Sequence, residues 1–272
     1  MIKLAITLDS HTLHRPVPVA MAIPHHLVAT GGPYSVVWAL HCAMSGGDFF
    51  GDIVDIGSYI DSNDLVFIAP SLGNGYFVDS AFENQASFLQ DEFLPAMQLL
   101  FPLSQQRENN YLLGISMGGF GALRWALQCP GIFSRVAAIS GVFDQTLPLD
   151  PRAKKDKAIR ALVSLFGDNF FAALFPKANS TRWAQANLAE TVEHFSRSAY
   201  VNSPPEFALY CGEGDYLSLP QTQHASGMLQ EAGIPAACFF SSGSHNRDYW
   251  RHSVPEAMNW LLQPTQTLFP GV

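Results

Sequence analysis

One serine stands among glycines in residues 111–127, which read YLLGISMGGFGALRWAL. The pentapeptide GISMG, residues 114–118, matches the pattern G-x-S-x-G, in which a nucleophilic serine occupies a sharp turn from a strand into a helix. An apolar run precedes Ser116 and a run typical of a helix follows it, as that turn requires. Glycine suits positions 114 and 118 because a Cβ there would collide with the crossing backbone. Ser116 is therefore the candidate nucleophile.

A serine hydroxyl needs a base that takes its proton and an acid that orients the base. In α/β-hydrolases both partners follow the serine, first the acid and then the histidine, in loops after later strands. Glu213 and Asp215 follow the apolar run FALYCG, and His245 follows the run AACFF. We predict His245 as the base and Asp215 as the acid, because Glu213 directly follows its strand and is expected to face away. Asp248 is a weaker rival acid, since it lies too close to His245 in sequence.

Other histidines and other chemistries compete less well with this interpretation. A glycine-rich turn can also bind phosphate, but the chain contains neither G-x-x-x-x-G-K-[ST] nor G-x-G-x-x-G. A metallohydrolase would use the early histidines, which no carboxylate pattern accompanies: His11, His14, His25 and His26. The remaining histidines precede the serine or lie in predicted helical segments: His41, His194, His224 and His252. The predicted serine chemistry needs no cofactor and no metal.

The elements that must position these residues alternate between strands and helices. Short, mostly continuous apolar runs predict strands that are covered on both faces, at 17–23, 34–40, 65–70, 111–115, 136–140, 207–212 and 236–240. Helices are predicted within 82–100 and over 118–128, 221–232 and 251–262. The alternation predicts an α/β fold with a mostly parallel central sheet and helices on both faces. Residues 2–8 and 17–23 are too close for a helical crossover and predict an antiparallel N-terminal hairpin.

The length of 272 residues fits one large domain, which we predict over residues 1–272. Residues 143–205 interrupt the alternation and are predicted to form a helical insertion over one end of the sheet. Several aromatic residues of this segment are predicted to lie in the core rather than to line a pocket: Phe166, Phe170, Phe171, Phe175 and Trp183. Pro95 should kink the helix within 82–100 or mark its boundary.

Composition limits the partners. The net charge of -8 and the lack of a basic stripe argue against nucleic acid. Charged residues make up only 14% of the chain, so the surface is poor in charge and compatible with a homo-oligomer. We find neither a signal peptide nor an apolar stretch of about 18 residues, and expect a cytoplasmic protein without a membrane partner. Free thiols in a reducing cytosol are predicted for the scattered cysteines Cys42, Cys129, Cys211 and Cys238.

Three blocks of sequence resemble one known family: GISMGGFGALRWAL, YCGEGDYL and GSHNRDYWRHSVPEAMNWL. They are similar to the esterase family that includes esterase D (S-formylglutathione hydrolase), tributyrin-type esterases, feruloyl esterases and mycolyltransferases. The similarity extends over residues 15–263. It implies an α/β-hydrolase fold, with Ser116 as nucleophile, Asp215 as triad acid and His245 as base. The implied activity is a serine carboxylesterase that hydrolyses a small-molecule ester through an acyl-enzyme. A short acyl chain is favoured because the sequence shows no large lipase-type lid.

The resemblance also implies the donors of an oxyanion hole. In the family, the strand before the first long helix ends in a Leu-His-Gly-like segment, and the next residue donates its backbone N–H. Here residues 40–43 read Leu-His-Cys-Ala, which points to Ala43 and Met117 as the donors. Cys42 stands where the family usually has glycine. This difference concerns the backbone geometry that would position the N–H of Ala43, the first donor.

Two further segments relate to the family pattern. Asn246 and Arg247 replace an acidic and an aromatic residue that often follow the base, so pocket contacts there should differ. Residues 70–80, PSLGNGYFVDS, resemble a family loop beside the active site, and a plain surface turn is the alternative.

Related functions share these residues and stay open at the level of sequence. An acyltransferase would use the same triad with an alcohol in place of water in the second step. An S-formylglutathione hydrolase would cleave a thioester. A non-catalytic α/β-hydrolase would bind a small ligand or a partner protein, although the complete set of triad residues argues against it.

Overall fold

The computed structural model describes residues 1–26, 31–175 and 180–263. In this part of the chain the strands form one eight-stranded sheet in the order β1-β2-β4-β3-β5-β6-β7-β8. The strands are β1 (Ile2–Ser10), β2 (Arg15–Ile23), β3 (Ser35–Leu40), β4 (Leu65–Pro70), β5 (Asn110–Ile115), β6 (Arg135–Ile139), β7 (Glu206–Gly212) and β8 (Ala236–Ser241). The predicted apolar runs therefore form strands, and the run at 65–70 coincides with β4.

The sheet is mixed, as predicted. β1 pairs with β2 in an antiparallel hairpin, and β2 pairs antiparallel with β4. All other neighbouring strands are parallel, from β4-β3 through β7-β8. Parallel neighbours need crossovers over a sheet face, and helices supply them here. The antiparallel N-terminal hairpin on a mostly parallel sheet is therefore confirmed.

The helices of the described residues are α1 (Phe49–Ile53), α2 (Gly57–Asn63), α3 (Leu94–Leu100), α4 (Met117–Gln128), α5 (Lys157–Phe166), α6 (Asp168–Leu174), α7 (Thr181–Ala186), α8 (Leu188–Phe195), α9 (Leu219–Glu231) and α10 (Arg247–Leu262). A helical turn, Gln85–Ser87, and a π-helical segment, Phe88–Phe93, lead directly into α3. Pro95 lies in the first turn of α3, just after the π-helical segment ends. The predicted boundary at Pro95 therefore corresponds to a change from π-helix to α-helix within one continuous helical stretch. None of these helices has both the length and the apolar character that a membrane crossing requires.

Hydrophobic core lies on both faces of the sheet, because successive strand residues point to opposite sides. In β3, Trp38 belongs to the core on the side of α4, whereas Val37 and Ala39 belong to the core on the other side. Side chains of α1, α2 and α10 complete this second core. The α/β-hydrolase architecture with helices on both faces is confirmed.

Helices α5 to α8 lie between β6 and β7 and supply aromatic side chains to the core on the α4 side. Phe171 and Phe175 are fully buried there. The other three predicted core aromatics are partly buried and pack against the same cluster: Phe166, Phe170 and Trp183. Their predicted role in the core is confirmed.

Candidate active site

The carboxyl ends of the six parallel strands, β3 to β8, lie at one edge of the sheet. Ser116 follows β5, Asp215 follows β7 and His245 follows β8. Since β5, β6, β7 and β8 are consecutive parallel neighbours, residues far apart in sequence reach the same edge. This edge is where ligands bind in open α/β sheets.

The turn at Ser116 has a strained backbone that its neighbours hold. Ser116 has φ 56° and ψ -115°, a left-handed conformation that costs energy for a residue with a Cβ. Its N–H donates to the carbonyl oxygen of Ile139 at 2.8 Å. Its own carbonyl oxygen accepts from the N–H groups of Phe120 and Val142, both at 3.3 Å. These bonds fix the turn between β5 and α4.

Two glycines permit this turn, for the predicted reason. A Cβ on Gly114 would lie 2.0 Å from the carbonyl oxygen of Gly118. A Cβ on Gly118 would lie 2.0 Å from the carbonyl oxygen of Leu40 and 2.7 Å from that of His41. Real Cβ atoms do not approach backbone so closely. Gly118 thus brings the start of α4 against the end of β3.

The structure brings the three predicted triad residues into one hydrogen-bonded chain. Ser116 Oγ lies 2.9 Å from His245 Nε2. His245 Nδ1 lies 2.8 Å from Asp215 Oδ2. The side chain of Asp215 is completely buried, whereas that of His245 is 24% exposed. The partly exposed imidazole therefore joins a completely buried carboxylate to the hydroxyl of Ser116, a residue that is only 6% exposed.

The proton positions follow from these partners. Burial alone would raise the pKa of Asp215, but the hydrogen bond from His245, its charge and the amide of Ser218 bring the pKa below its ordinary value. Asp215 is thus a carboxylate that only accepts, so Nδ1 of His245 must carry a proton. The lone pair of the neutral ring is then on Nε2, and the hydroxyl of Ser116 donates to it. This is the protonation state in which an imidazole can act as a base.

The rival acids lie elsewhere. Glu213 is exposed, and its backbone N–H donates to the carbonyl oxygen of Ser241. Asp248 is also exposed and forms an ion pair with Arg251 at 2.9 Å. Neither carboxylate occupies the place that Asp215 holds beside His245.

Two serines beside the triad were not singled out from the sequence. The Ser218 N–H donates to Asp215 Oδ1 at 2.9 Å, and its hydroxyl lies 3.1 Å from His245 Nδ1. Ser140 follows β6 in a left-handed conformation, with φ 49°. Its hydroxyl accepts from Trp250 Nε1 at 3.2 Å. The place of Ser140 at the carboxyl end of a central strand was the signal that could have identified it.

A buried histidine fixes the segment that contains Ala43. His41 is fully buried, and burial lowers its pKa. Its Nε2 accepts from the N–H of Leu72 at 3.1 Å, so Nδ1 carries the proton and donates to the carbonyl oxygen of Cys42 at 2.7 Å. A neutral His41 thus ties residues 41–43 to the loop after β4.

That loop, residues 70–80, lies beside the 41–44 segment. The side-chain oxygen of Asn74 accepts from the N–H of Met44 at 2.7 Å. The hydroxyl of Ser71 accepts from the N–H of Gly47 at 2.9 Å. Tyr76 and Phe77 are each only 1% exposed. The alternative of a plain surface turn is therefore wrong.

The two predicted oxyanion donors lie on elements that touch each other. Met117 directly precedes Gly118, whose Cα approaches the backbone at Leu40 and His41. Among the described residues, neither the N–H of Met117 nor that of Ala43 donates to a protein acceptor. Two unpaired amides at one place can receive an anionic oxygen. Their role stays a prediction.

Cysteine can stand where the family has glycine because the strain lies two residues later. Within the described chain, the left-handed residue of this segment is Met44, with φ 60°, and not Cys42. The Cys42 side chain is buried, and burial raises the pKa of its thiol. All four cysteines are free.

The two residues after His245 both make contacts within the described chain. Asn246 caps α10, since its side-chain oxygen accepts from the N–H of Tyr249 at 3.0 Å. The guanidinium carbon of Arg247 lies 5.0 Å from the centre of the Phe49 ring, a cation–π contact.

The early histidines lie away from the triad: the turn with His11 and His14 is at the same edge of the sheet but is separated from β5 by β4 and β3, whereas His25 and His26 follow the opposite end of β2. His11 and His14 occupy the turn between β1 and β2. His26 Nε2 contacts Asp64 Oδ1 at 2.6 Å. In the part of the chain that the structure describes, no three His, Cys, Asp or Glu side chains are grouped so that they could hold a metal ion.

Comparison with known proteins agrees with this geometry. A family model described as "Putative esterase" matches residues 76–261, which is more than half of the chain. The match includes the positions of Ser116, Asp215 and His245. An acetyl esterase of Caldicellulosiruptor saccharolyticus is 25% identical over 201 residues, which are 73% of this chain and 72% of that protein.

Solved structures share the fold. The fluorophosphonate-binding serine hydrolase FphF of Staphylococcus aureus superposes with a TM-score of 0.80 at 19% identity, over 97% of this chain and 99% of that one. The S-formylglutathione hydrolase FrmB of the same organism superposes with a TM-score of 0.78 at 19% identity, over 96% of this chain and 99% of that one. At such identities these likenesses describe the fold.

Proposed function

The chain belongs to the esterase family of serine carboxylic ester hydrolases, and we propose that it cleaves short-chain acyl esters through an acyl-enzyme. In this proposal Ser116 is the nucleophile, His245 the general base and acid, and Asp215 the residue that orients the base. The observation that carries it is the pair of hydrogen bonds at 2.9 and 2.8 Å that joins the three side chains.

In the first half of the reaction, Ser116 Oγ attacks the carbonyl carbon of the ester while its proton moves to His245 Nε2. The carbonyl electron pair moves to the oxygen, which becomes an oxyanion. When the tetrahedral intermediate collapses, the bond to the alcohol oxygen breaks, and that oxygen takes the proton from His245. The acyl group is then an ester of Ser116.

In the second half, water replaces the alcohol. His245 takes a proton from the water as its oxygen attacks the acyl-enzyme, and later returns a proton to Ser116. Asp215 stabilises the imidazolium that forms in each half. The N–H groups of Met117 and Ala43 are proposed to bind both oxyanions, each contributing roughly 3 kcal/mol. Their unpaired state among the described residues supports this role.

A short acyl group is supported by the relative with the printed name acetyl esterase, which matches most of the chain. A thioesterase of the S-formylglutathione hydrolase type is a second candidate, because cleavage of a thioester would use the same three hydrogen-bonded side chains. Turnover of an acyl thioester and of the oxyester with the same acyl group distinguishes the two. An acyltransferase would instead give a new ester when an acceptor alcohol is added.

The substitution Ser116→Ala tests the proposal. It removes the attacking oxygen and leaves the surrounding backbone in place. We expect kcat for p-nitrophenyl acetate to fall about 10⁴-fold, with the melting temperature of the wild-type protein retained. Full esterase activity in the purified variant would disprove the role of Ser116.

We also propose that residues 1–272 form a single domain with residues 143–205 as an insertion, and that the protein is cytoplasmic. The four free thiols support a reducing compartment. A homo-oligomer is supported by large apolar side chains at the surface, such as Leu99, Leu100, Phe239 and Phe240. Size-exclusion chromatography with light scattering tests the oligomeric state.

A further inference from the structure

We propose that Ser218 is a positioning residue for the catalytic base: its hydroxyl oxygen accepts a second hydrogen bond from Nδ1–H of His245, next to the bond to Asp215. This inference rests on the proposed function of His245. Ser218 would then set the tautomer and the orientation of the imidazole together with the triad acid.

Ser218 touches two members of the triad at once. It lies three residues after Asp215, directly before α9, and is completely buried. Its backbone N–H donates to Asp215 Oδ1 at 2.9 Å, and its hydroxyl oxygen lies 3.1 Å from His245 Nδ1. The other carboxylate oxygen, Oδ2, is the one that receives His245. Backbone and side chain of one residue thus support both partners of the acid–base pair.

The direction of each hydrogen bond follows from a third partner. The Ser218 hydroxyl lies 2.9 Å from the carbonyl oxygen of Ser140. A carbonyl oxygen can only accept, so the single hydroxyl proton of Ser218 points to Ser140. The Ser218 oxygen then presents a lone pair to His245, whose Nδ1–H is shared between Asp215 at 2.8 Å and Ser218 at 3.1 Å.

The hydrogen bond from Nδ1–H to Ser218 should stabilise the protonated imidazole of His245 more than the neutral imidazole. An imidazolium N–H is a stronger donor than a neutral one, so an extra acceptor in a buried place favours the protonated base. The ring is also confined by Trp250, whose centroid lies 5.3 Å away in an edge contact. Trp250 Nε1 in turn donates to the Ser140 hydroxyl. Ser140 therefore contacts both Trp250, which packs against the imidazole ring, and Ser218, which accepts from Nδ1–H.

The test uses Ser218→Ala and Ser218→Cys with Ser253→Ala as a matched control. Alanine removes the acceptor, and cysteine keeps a side chain of similar shape with a much weaker acceptor. Neither change removes the backbone N–H that binds Asp215. Ser253 is also a buried serine, but its hydroxyl donates only to the carbonyl oxygen of Tyr249 within α10.

Two measurements are compared across the wild type and the three variants. One is the titration of the His245 imidazole by ¹⁵N NMR, and the other is the dependence of kcat and KM on pH. For both Ser218 variants we expect the pKa of His245 to fall and kcat to drop about tenfold with KM within about twofold. The Ser253→Ala variant should retain both the wild-type pKa and the wild-type kcat.

An unchanged pKa of His245 and an unchanged kcat in the Ser218 variants would overturn the inference, whatever happens to the melting temperature. The NMR titration needs no turnover, so it tests the contact between Ser218 and His245 independently of the proposed esterase activity. A wild-type protein that hydrolyses no ester, while the His245 pKa still depends on Ser218, would refute the proposed function and retain the contact.

Discussion

The active-site edge and the N-terminal hairpin of the same sheet are built in different ways. At the active-site edge and the loop beside it, five residues with a Cβ adopt left-handed conformations: Met44, Tyr76, Phe77, Ser116 and Ser140. Hydrogen bonds to distant parts of the chain hold them: for example, the Met44 N–H donates to Asn74 Oδ1, and the Ser140 N–H donates to the carbonyl oxygen of Tyr210. The strain is concentrated where the reacting groups must be presented.

The strands of the β1–β2 hairpin are regular by contrast, and the one left-handed residue with a Cβ that the structure describes there is His14, in the turn. Its register runs without a break from Ile2 opposite Ile23 to Ser10 opposite Arg15. Side chains of β1 alternate between half-buried and exposed, as a strand with one covered face requires. Its turn is held by Glu92, which accepts hydrogen bonds from the Ser10 hydroxyl and from the N–H groups of His11 and Thr12. The comparison indicates that local pattern builds the strands of the hairpin, whereas long-range contacts hold its turn and position the residues of the active-site edge.

The largest effect is expected from a methyl group at the crossing of α4 and β3. In Gly118→Ala the new Cβ would lie 2.0 Å from the carbonyl oxygen of Leu40, so the backbone must shift. We expect the free energy of unfolding to fall by about 3 kcal/mol or more, with esterase activity lost in whatever protein folds. Urea unfolding and p-nitrophenyl acetate turnover measure the two effects.

Gly227→Ala is the control for that substitution. Gly227 lies within α9, and a Cβ there would meet nothing within 4 Å. The change should leave activity intact and stabilise the protein by up to about 1 kcal/mol, because alanine favours the helix. Equal effects of the two substitutions would contradict the account of the active-site edge.

A smaller effect, on stability alone, is expected in the hairpin. Burial alone would raise the pKa of Glu92, but hydrogen bonds from Thr12, His11 and Ser10 lower it from 4.5 to about 2. Glu92→Gln removes the charge that these donors favour. We expect a loss of about 1–2 kcal/mol in the free energy of unfolding and unchanged kcat.

The matched substitution Glu193→Gln, at an exposed ion pair with Arg197, should change stability by less than about 0.5 kcal/mol.

The contribution of Glu92 should depend on pH in a defined direction. A carboxyl group with a depressed folded-state pKa stabilises the fold above its unfolded pKa, and the stabilisation is lost as pH falls. The difference between the wild type and Glu92→Gln should therefore be complete at pH 7 and shrink from pH 4.5 towards pH 2. A difference that is constant over this range would show that the charge of Glu92 is not what holds the turn.

The same contrast explains what the sequence could predict. The run at 65–70 is apolar at every position and is a completely buried strand, since composition alone marks such strands. Ser116, Asp215 and His245 could be found because each follows a recognisable strand and because G-x-S-x-G carries its own steric reason. Local pattern was sufficient for these features.

Ser218 and Asn74 could not be found in this way. The hydroxyl of Ser218 meets Ser140 and His245 only after the loops behind β6, β7 and β8 have converged. Asn74 holds Met44 across 30 residues of sequence. A serine or an asparagine in a loop has many local uses, so its residue type does not identify a distant partner. The π-helical segment Phe88–Phe93 likewise has no signature in a pattern that reads as one amphipathic helix.

The most direct test of the central claim is the mass of the peptide that contains Ser116, after the protein is mixed with p-nitrophenyl acetate and quenched in acid during turnover. We expect this peptide to be heavier by one acetyl group, with the added group on Ser116. Sustained hydrolysis with no acetyl group on Ser116, or with acetylation of a different residue, would contradict this expectation.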